Sequence, residues 1–326
     1  MRAIQIERTG SPEVMQLVDV PVREPGPNEV RVRQRAIGVN YIDTYFRSGL
    51  YPAQLPLVLG AEGAGVIEAV GAGVDGLAVG DRVAYAARTQ GCYAEARTLD
   101  IAQVVKLPDA IDFDHAAGMM LKGLTVQYLL KRTSPHGGLH AGDAILWHAA
   151  AGGVGLIGCQ WAKRLGLVVI GTAGGPAKCE LARACGATHV IDYRREDVVA
   201  RVRELTGGKG VKVVYDAVGK ETWTRSLDCL APFGLMVSFG NASGPVAPFD
   251  VLELMGRGSL YVTRPTLSTH TATRATTQEM ARDLFEVVAS GAVKIEVRQR
   301  YALADAAQAH RDLEARKTTG STILVP

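Results

Sequence analysis

The chain has 326 residues, 47% of them hydrophobic and 21% charged, with 37 glycines, a composition of a folded globular protein with many tight turns. That length exceeds what one hydrophobic core usually serves, so two domains are expected. A formal charge of +3, with Lys and Arg scattered among acids, gives no support for a nucleic-acid partner, and no apolar run reaches the length of a membrane span.

From the N-terminus, Met1-Arg-Ala-Ile-Gln-Ile-Glu-Arg8 carries charge where a signal peptide needs its apolar core, which points to a cytoplasmic protein without a membrane partner. The first third reads as β-rich, with short alternating runs such as Glu29 to Gln34 and Gly65 to Val70 between Pro and Gly clusters. From about Gly123 strands alternate with helices. The strands fall at Ala144 to Trp147, Val168 to Gly171, His189 to Ile191, Val211 to Asp216, Gly234 to Phe239 and Ser259 to Thr263. Such alternation predicts an α/β unit with a doubly wound parallel sheet. After Pro265 come a helix from Thr276 to Ser290, a strand around Ile295, a helix from Ala304 to Ala315 and a last strand, Ser321 to Val325. This tail does not extend the βαβ series, so it is expected to pack back on the N-terminal part. The predicted domains are 1–122 with 265–326, and 123–264 inserted between them.

Chemistry enters at Ala149-Ala-Ala-Gly-Gly-Val-Gly155, a loop between the strand ending at Trp147 and a helical pattern from Leu156 to Leu165. Ala150, Gly152 and Gly155 take the three small-residue positions of a GxGxxG fingerprint, with Ala in place of the first glycine. There a tight turn brings backbone amides close to a pyrophosphate at a helix N-terminus. About 20 residues past that loop an NAD site carries an acid for the ribose 2′-hydroxyl. Here the second strand runs into Thr172-Ala-Gly-Gly175, with Lys178 beyond and no acid before Glu180. A dianionic 2′-phosphate is attracted by a lysine and repelled by a carboxylate, so NADPH is the expected cofactor. Five cysteines, Cys92, Cys159, Cys179, Cys185 and Cys229, include no CxxC pair and fit neither a disulfide framework nor a zinc knuckle.

Several segments now carry a resemblance: Gly38 to Tyr45, Arg47 to Tyr51, Leu121-Lys-Gly-Leu-Thr125, His148 to Gly155, Val214 to Gly219, Val237 to Asn241, Ser259 to Pro265 and Arg316 to Leu324. Together they resemble the zinc-independent quinone oxidoreductases, the ζ-crystallin-like branch of the medium-chain dehydrogenase/reductase superfamily, bacterial members above all. The resemblance implies a Rossmann domain inserted in a GroES-like substrate domain, with the active site in the cleft. It implies that Gly174, Lys178, Tyr193 and Arg316 surround the adenosine 2′-phosphate, with the tyrosine ring flanking the adenine. Gly152, Gly153 and Val154 are implied at the pyrophosphate. Asn40, Tyr41, Thr125, Phe239, Gly240, Asn241 and Arg264 are implied along the nicotinamide half. Relatives commonly form homodimers, and Ser259 to Thr263 reads as an open sheet edge able to pair with its symmetry mate.

Zinc alcohol dehydrogenases of the same superfamily carry a Cys where this chain has Asn40 and a His where it has Ala61, so both ligand positions are empty. Cys92 stands alone where their structural-zinc cysteines cluster. His136, His140 and His148 lack helical i, i+4 pairing, and no metal is expected. Without those ligands the chain lacks the usual device for polarising an alcohol or an unactivated carbonyl. The expected acceptor is then electrophilic in itself, and a quinone, which gains aromaticity on reduction, qualifies. Tyr45 and Tyr51 fall where family members place substrate-cleft residues; with Asn40 they are the candidate catalytic side chains, whether by stacking or by stabilising an oxyanion. An NADPH-dependent enone or alkenal double-bond reductase is the nearest alternative. A different one is a protein that retains NADPH without turnover, since crystallin-like and RNA-binding roles occur among relatives.

Overall fold

The computed structural model describes residues 1–135 and 137–326; His136, one of the histidines considered above, lies outside the described residues. In chain order the strands are β1 (Arg2–Ile6), β2 (Gln16–Asp19), β3 (Glu29–Val39), β4 (Leu57–Val58), β5 (Glu62–Val70), β6 (Arg82–Ala86), β7 (Ala96–Asp100) and β8 (Val104–Lys106). They continue as β9 (Ala144–Trp147), β10 (Val168–Ala173), β11 (His189–Asp192), β12 (Val211–Asp216), β13 (Leu230–Ser238), β14 (Tyr261–Thr263), β15 (Val297–Ala302) and β16 (Ser321–Val325). The helices are α1 (Tyr41–Ser48), α2 (Phe113–Lys131), α3 (Gly153–Arg164), α4 (Pro176–Ala184), α5 (Val198–Leu205), α6 (Trp223–Asp228), α7 (Leu252–Gly256), α8 (Leu267–His270), α9 (Arg274–Ala289) and α10 (Ala306–Glu314).

The chain divides into two compact units, one of residues 1–124, 270–289 and 295–326, the other of residues 125–269 and 290–294. The first holds a three-stranded sheet, β2-β1-β4, and a seven-stranded one, β15-β16-β3-β5-β6-β8 with β7 also on β3. Strand β3 alternates as its sequence does: Val30, Val32 and Gln34 point inward, while Arg33 and Arg35 face out. The C-terminal strand β16 pairs antiparallel with β3, Leu324 opposite Ile37, and so completes the sheet of the N-terminal segment. Ile4, Ile6, Val32, Ile67, Tyr85, Tyr93, Leu303 and Leu324 share its core, with helix α10 packed on it through Ala306 and Ala309.

The second unit is a six-stranded parallel sheet in the order β11-β10-β9-β12-β13-β14. Numbered from its own first strand this is 3-2-1-4-5-6, the order of a Rossmann fold, whose strand sequence reverses between β9 and β12. Such a sheet is covered on both faces, which is why β9 is an apolar run and β12 is buried at every position but Lys212 rather than at alternate ones. Several predicted boundaries move, β13 for one starting at Leu230 rather than Gly234, and three of the shifts have a local reason. Helix α3 opens at Gly153, not Leu156, because the glycine-rich turn is itself its first turn. The edge strand starts at Tyr261, since Ser259 is left-handed at φ 57° and cannot join a ladder. Near Ile295 the chain is buried but unpaired, and the ladder to β16 starts only at Val297 opposite Ser321.

Candidate functional site

In the second unit the fingerprint loop is built from backbone constraints. The Ala150 amide donates to the Thr172 carbonyl at 2.9 Å, and Ala149 adopts φ 53° to turn the chain. Ala150 replaces the first glycine because Gly171 beneath it has no side chain: a Cβ there would lie 2.8 Å from the Ala150 methyl. Gly155 has no such latitude, since a Cβ would sit 2.4 Å from the Ala149 carbonyl oxygen. Gly152 caps α3 without a side chain, so the amides of its first turn, Gly153 and Val154 among them, stay available to an anion.

At the end of β10, Gly174 and Tyr193 meet: a Cβ on Gly174 would stand 2.4 Å from the tyrosine oxygen and 3.2 Å from Arg194 Nε. Asp192 holds this corner, its Oδ1 accepting the Gly175 amide at 2.9 Å and the Arg194 amide at 3.1 Å. The Gly175 amide, foremost, keeps its carboxyl below the usual range. Lys178 lies half-buried in the first turn of α4. Arg194 is a cation that sequence reasoning passed over; its position directly after Tyr193 was the available signal. Further along the sheet, Gly240 abuts Ala217, where a Cβ would come 2.5 Å from the carbonyl oxygen. The Phe239 ring lies 6.4 Å from Trp147, Asn241 accepts the Gly244 amide at 2.9 Å through its carbonyl, and Arg264 donates to the Ser238 carbonyl at 2.9 Å. Thr125 is buried on α2.

In the first unit Asn40 caps α1 and is buried, its Nδ2 donating to Glu62 Oε1 at 2.8 Å. The same oxygen accepts Lys122 Nζ at 2.6 Å, while Oε2 accepts the Leu121 amide at 2.6 Å. Glu62 is wholly buried and Lys122 nearly so, a buried ion pair that joins β5 to α2. Gly38 opposite leaves room for it: a Cβ there would lie 2.1 Å from Glu62 Oε1. Asp43 Oδ2 accepts the Asn40 amide and the Tyr93 hydroxyl, both at 2.9 Å, while its Oδ1 is buried without a partner. Burial, reinforced by the Glu62 charge, pushes its carboxyl up to about 7. The Tyr93 hydroxyl also meets His310 Nε2 at 3.0 Å, and Arg47 donates to His310 Nδ1 at 3.2 Å and to Glu314. An arginine donor on Nδ1 leaves the proton on Nε2, and burial lowers this histidine to about 3. Sequence reasoning missed Glu62, Lys122 and Asp43: Asp43 and Lys122 stand in quoted motifs and Glu62 directly follows Ala61, but nothing local says that Glu62 and Lys122, sixty residues apart, meet.

The candidate tyrosines form one aromatic cluster, with ring centroids 5.7 Å apart for Tyr41 and Tyr45 and 5.1 Å for Tyr45 and Tyr51. Tyr45 is buried within it, Tyr41 and Tyr51 half-buried. Arg316 follows α10 in this unit, left-handed at φ 58°. Among the described residues no group of three or more His, Cys, Asp and Glu side chains is placed to hold a metal ion. At the two zinc-ligand positions Asn40 is engaged with Glu62 and Ala61 offers no donor. His140 is exposed beside Asp143, and Cys92 is buried against Arg97, its thiol pushed up to about 11 by burial.

The open amides of α3, the cradle at Gly155, and Lys178 near the Gly174 and Tyr193 corner fit a phosphorylated dinucleotide. Comparison with known proteins agrees in fold and family. The chain matches the models "Alcohol dehydrogenase GroES-like domain" over residues 26–109 and "Zinc-binding dehydrogenase" over 153–286. It is 57% identical over 326 residues to a quinone oxidoreductase of Pseudomonas aeruginosa, covering 100% of this chain and 99% of that one. The crystal structure of Escherichia coli quinone oxidoreductase complexed with NADPH superposes with a TM-score of 0.97 at 49% identity, covering all of both chains. A 2-haloacrylate reductase of Burkholderia sp is 43% identical over 331 residues, covering 99% of this chain and 98% of that one. With full-length identity of this order, the chain belongs to the quinone oxidoreductases of the medium-chain dehydrogenase/reductase superfamily.

Proposed function

We propose that this protein is an NADPH:quinone oxidoreductase of the cytoplasm. The full-length identity to quinone oxidoreductases, one of them solved with NADPH, carries the reading. The bound cofactor supplies the reducing equivalents. The protein's part is to hold it and to align the acceptor. In this reading residues 123–264 bind NADPH, and residues 1–122 with 265–326 bind the quinone. Lys178, Arg194 and Arg316 neutralise the 2′-phosphate beside Gly174, the Tyr193 ring flanks the adenine, and Gly152 meets the pyrophosphate together with the open amides of Gly153 and Val154. Thr125, Phe239, Gly240, Asn241 and Arg264 line the nicotinamide end with Asn40 and Tyr41, while Tyr45 and Tyr51 offer aromatic faces and hydroxyls to a flat acceptor.

A second reading, reduction of an electrophilic carbon–carbon double bond, is favoured by one observation, the 43% identity to a 2-haloacrylate reductase. Following NADPH oxidation with 1,4-benzoquinone, 9,10-phenanthrenequinone and an α,β-unsaturated ketone separates the two. Quinones are expected to be turned over and the ketone slowly or not at all; the reverse order makes the second reading the right one. NADPH binding without oxidation by any acceptor identifies a non-catalytic relative instead.

The functional form in this reading is a homodimer. Strand β14 ends its sheet, and around it Phe233, Val251, Leu252, Met255 and Tyr261 are exposed, an apolar surface that a symmetry mate would cover.

A further inference from the structure

His148, immediately before the fingerprint loop, is 3% exposed and has no part in the function proposed above. Its Nδ1 lies 2.9 Å from Thr172 Oγ1 and its Nε2 3.0 Å from Ser226 Oγ, both hydroxyls being buried as well. The Ser226 hydroxyl donates to Asp216 Oδ2 at 2.8 Å. With its proton directed at Asp216, the Ser226 hydroxyl accepts from His148 Nε2–H, and because burial lowers this histidine and favours the neutral ring, Nδ1 is left to accept the Thr172 hydroxyl. One arrangement satisfies every group: Thr172 donates to His148, His148 to Ser226, Ser226 to Asp216.

This chain of bonds spans the place where the strand order reverses, tying the carboxyl ends of β10, β9 and β12. Each end of it is anchored in a loop assigned to the cofactor. At one end, the Thr172 carbonyl accepts the amide of Ala150 in the fingerprint loop. At the other, Asp216 Oδ1 accepts the amides of Val218 at 2.7 Å and Gly219 at 3.1 Å, and its own carbonyl accepts that of Phe239 at 2.8 Å. The Ala217 and Val218 carbonyls then accept the amides of Ala242 and Ser243, which seats the Phe239–Asn241 turn. A buried polar chain is costly unless it is fully satisfied, and when satisfied it specifies one geometry more sharply than apolar packing would.

We propose that His148 is a positioning residue that, through Ser226 and Asp216, holds the pyrophosphate loop and the nicotinamide loop at the separation that NADPH requires. The inference rests on the NADPH reading given above. Its test uses two ligands. NADPH engages both loops, whereas adenosine 2′,5′-bisphosphate carries only the adenosine half, reaching the corner of Gly174, Lys178 and Tyr193 and, by its 5′-phosphate, the fingerprint loop, but not the nicotinamide loop. In fluorescence titrations with His148→Phe and with Ser226→Ala, which breaks the chain at a smaller side chain, Kd for NADPH is expected to rise by about tenfold or more. Kd for the bisphosphate is expected to stay within about twofold. NADPH affinity that is unchanged in either folded variant, or equal weakening of both ligands, overturns the proposal, the latter because general loosening would account for it. A parent protein that binds neither ligand refutes the NADPH reading itself, and the role of His148 with it.

Discussion

Lys178 and Asp43 show how differently two residues declare themselves. Lys178 is readable from its place in the chain, because a cation following a strand end without an acid has an electrostatic meaning before any fold is known. A charged hydrogen bond to phosphate contributes about 1.5–3 kcal/mol. The Lys178→Glu variant should therefore bind NADPH about tenfold or more weakly, with NADH little affected; parallel changes for both cofactors would remove it from the 2′-phosphate. Asp43 looks like an ordinary helix N-terminal acid, and only burial beside Glu62 raises it to about 7. The sign follows from proton binding. The folded protein keeps this proton to about pH 7, while the unfolded chain releases it near pH 4, so the stabilisation from Asp43 is complete below about pH 4 and is lost as pH rises to about 7. Asp43→Asn cannot ionise, and its Tm should decline less than the parent's between about pH 5 and 8. Calorimetric curves that run parallel would refute this.

Elements are legible where a period or punctuation mark is local. The apolar run of β9, the alternation of β3 and the glycine-rich start of α3 each carry their own signal. Pairings between elements do not. The contact of Glu62 on β5 with Lys122 on α2 exists because both sheet and helix are in place, and its energetics are those of a buried pair. Removing one partner strands the other charge, at a cost of about 3–5 kcal/mol, whereas replacing both by apolar groups is often neutral. Lys122→Met or Glu62→Leu alone should thus lower Tm markedly, and the double variant should recover most of the loss. Additive losses in thermal scans would show that the pair matters for packing and not for charge.

At the scale of the whole molecule, the exposed side chains Leu252, Met255 and Tyr261 beside the open β14 edge make a prediction about assembly. Met255→Asp with Leu252→Asp would charge that face and should shift a homodimer to monomer in light-scattering mass measurements, with the absorbance of bound NADPH retained. A monomeric parent would dispose of the dimer. The discontinuous first unit is also a property of this scale: strand β16 adds to β3 nearly three hundred residues upstream, and Arg316 reaches its unit only by that return. In the sequence this showed only as a tail that did not continue the βαβ series.

By itself the sequence determined what depends on neighbours along the chain: the αβ alternation, the glycine-rich turn at the start of a helix, the lysine that follows the second strand where no carboxylate stands, and the family. Those features act through local backbone geometry and charge, so order and spacing suffice to express them. Only the tertiary structure decided which polar groups share a buried environment. Glu62 with Lys122, Asp43 with Tyr93 and His310, and His148 with Ser226 and Asp216 are pairings of residues far apart in sequence, and their energetics come from exclusion of water, which no single segment can produce.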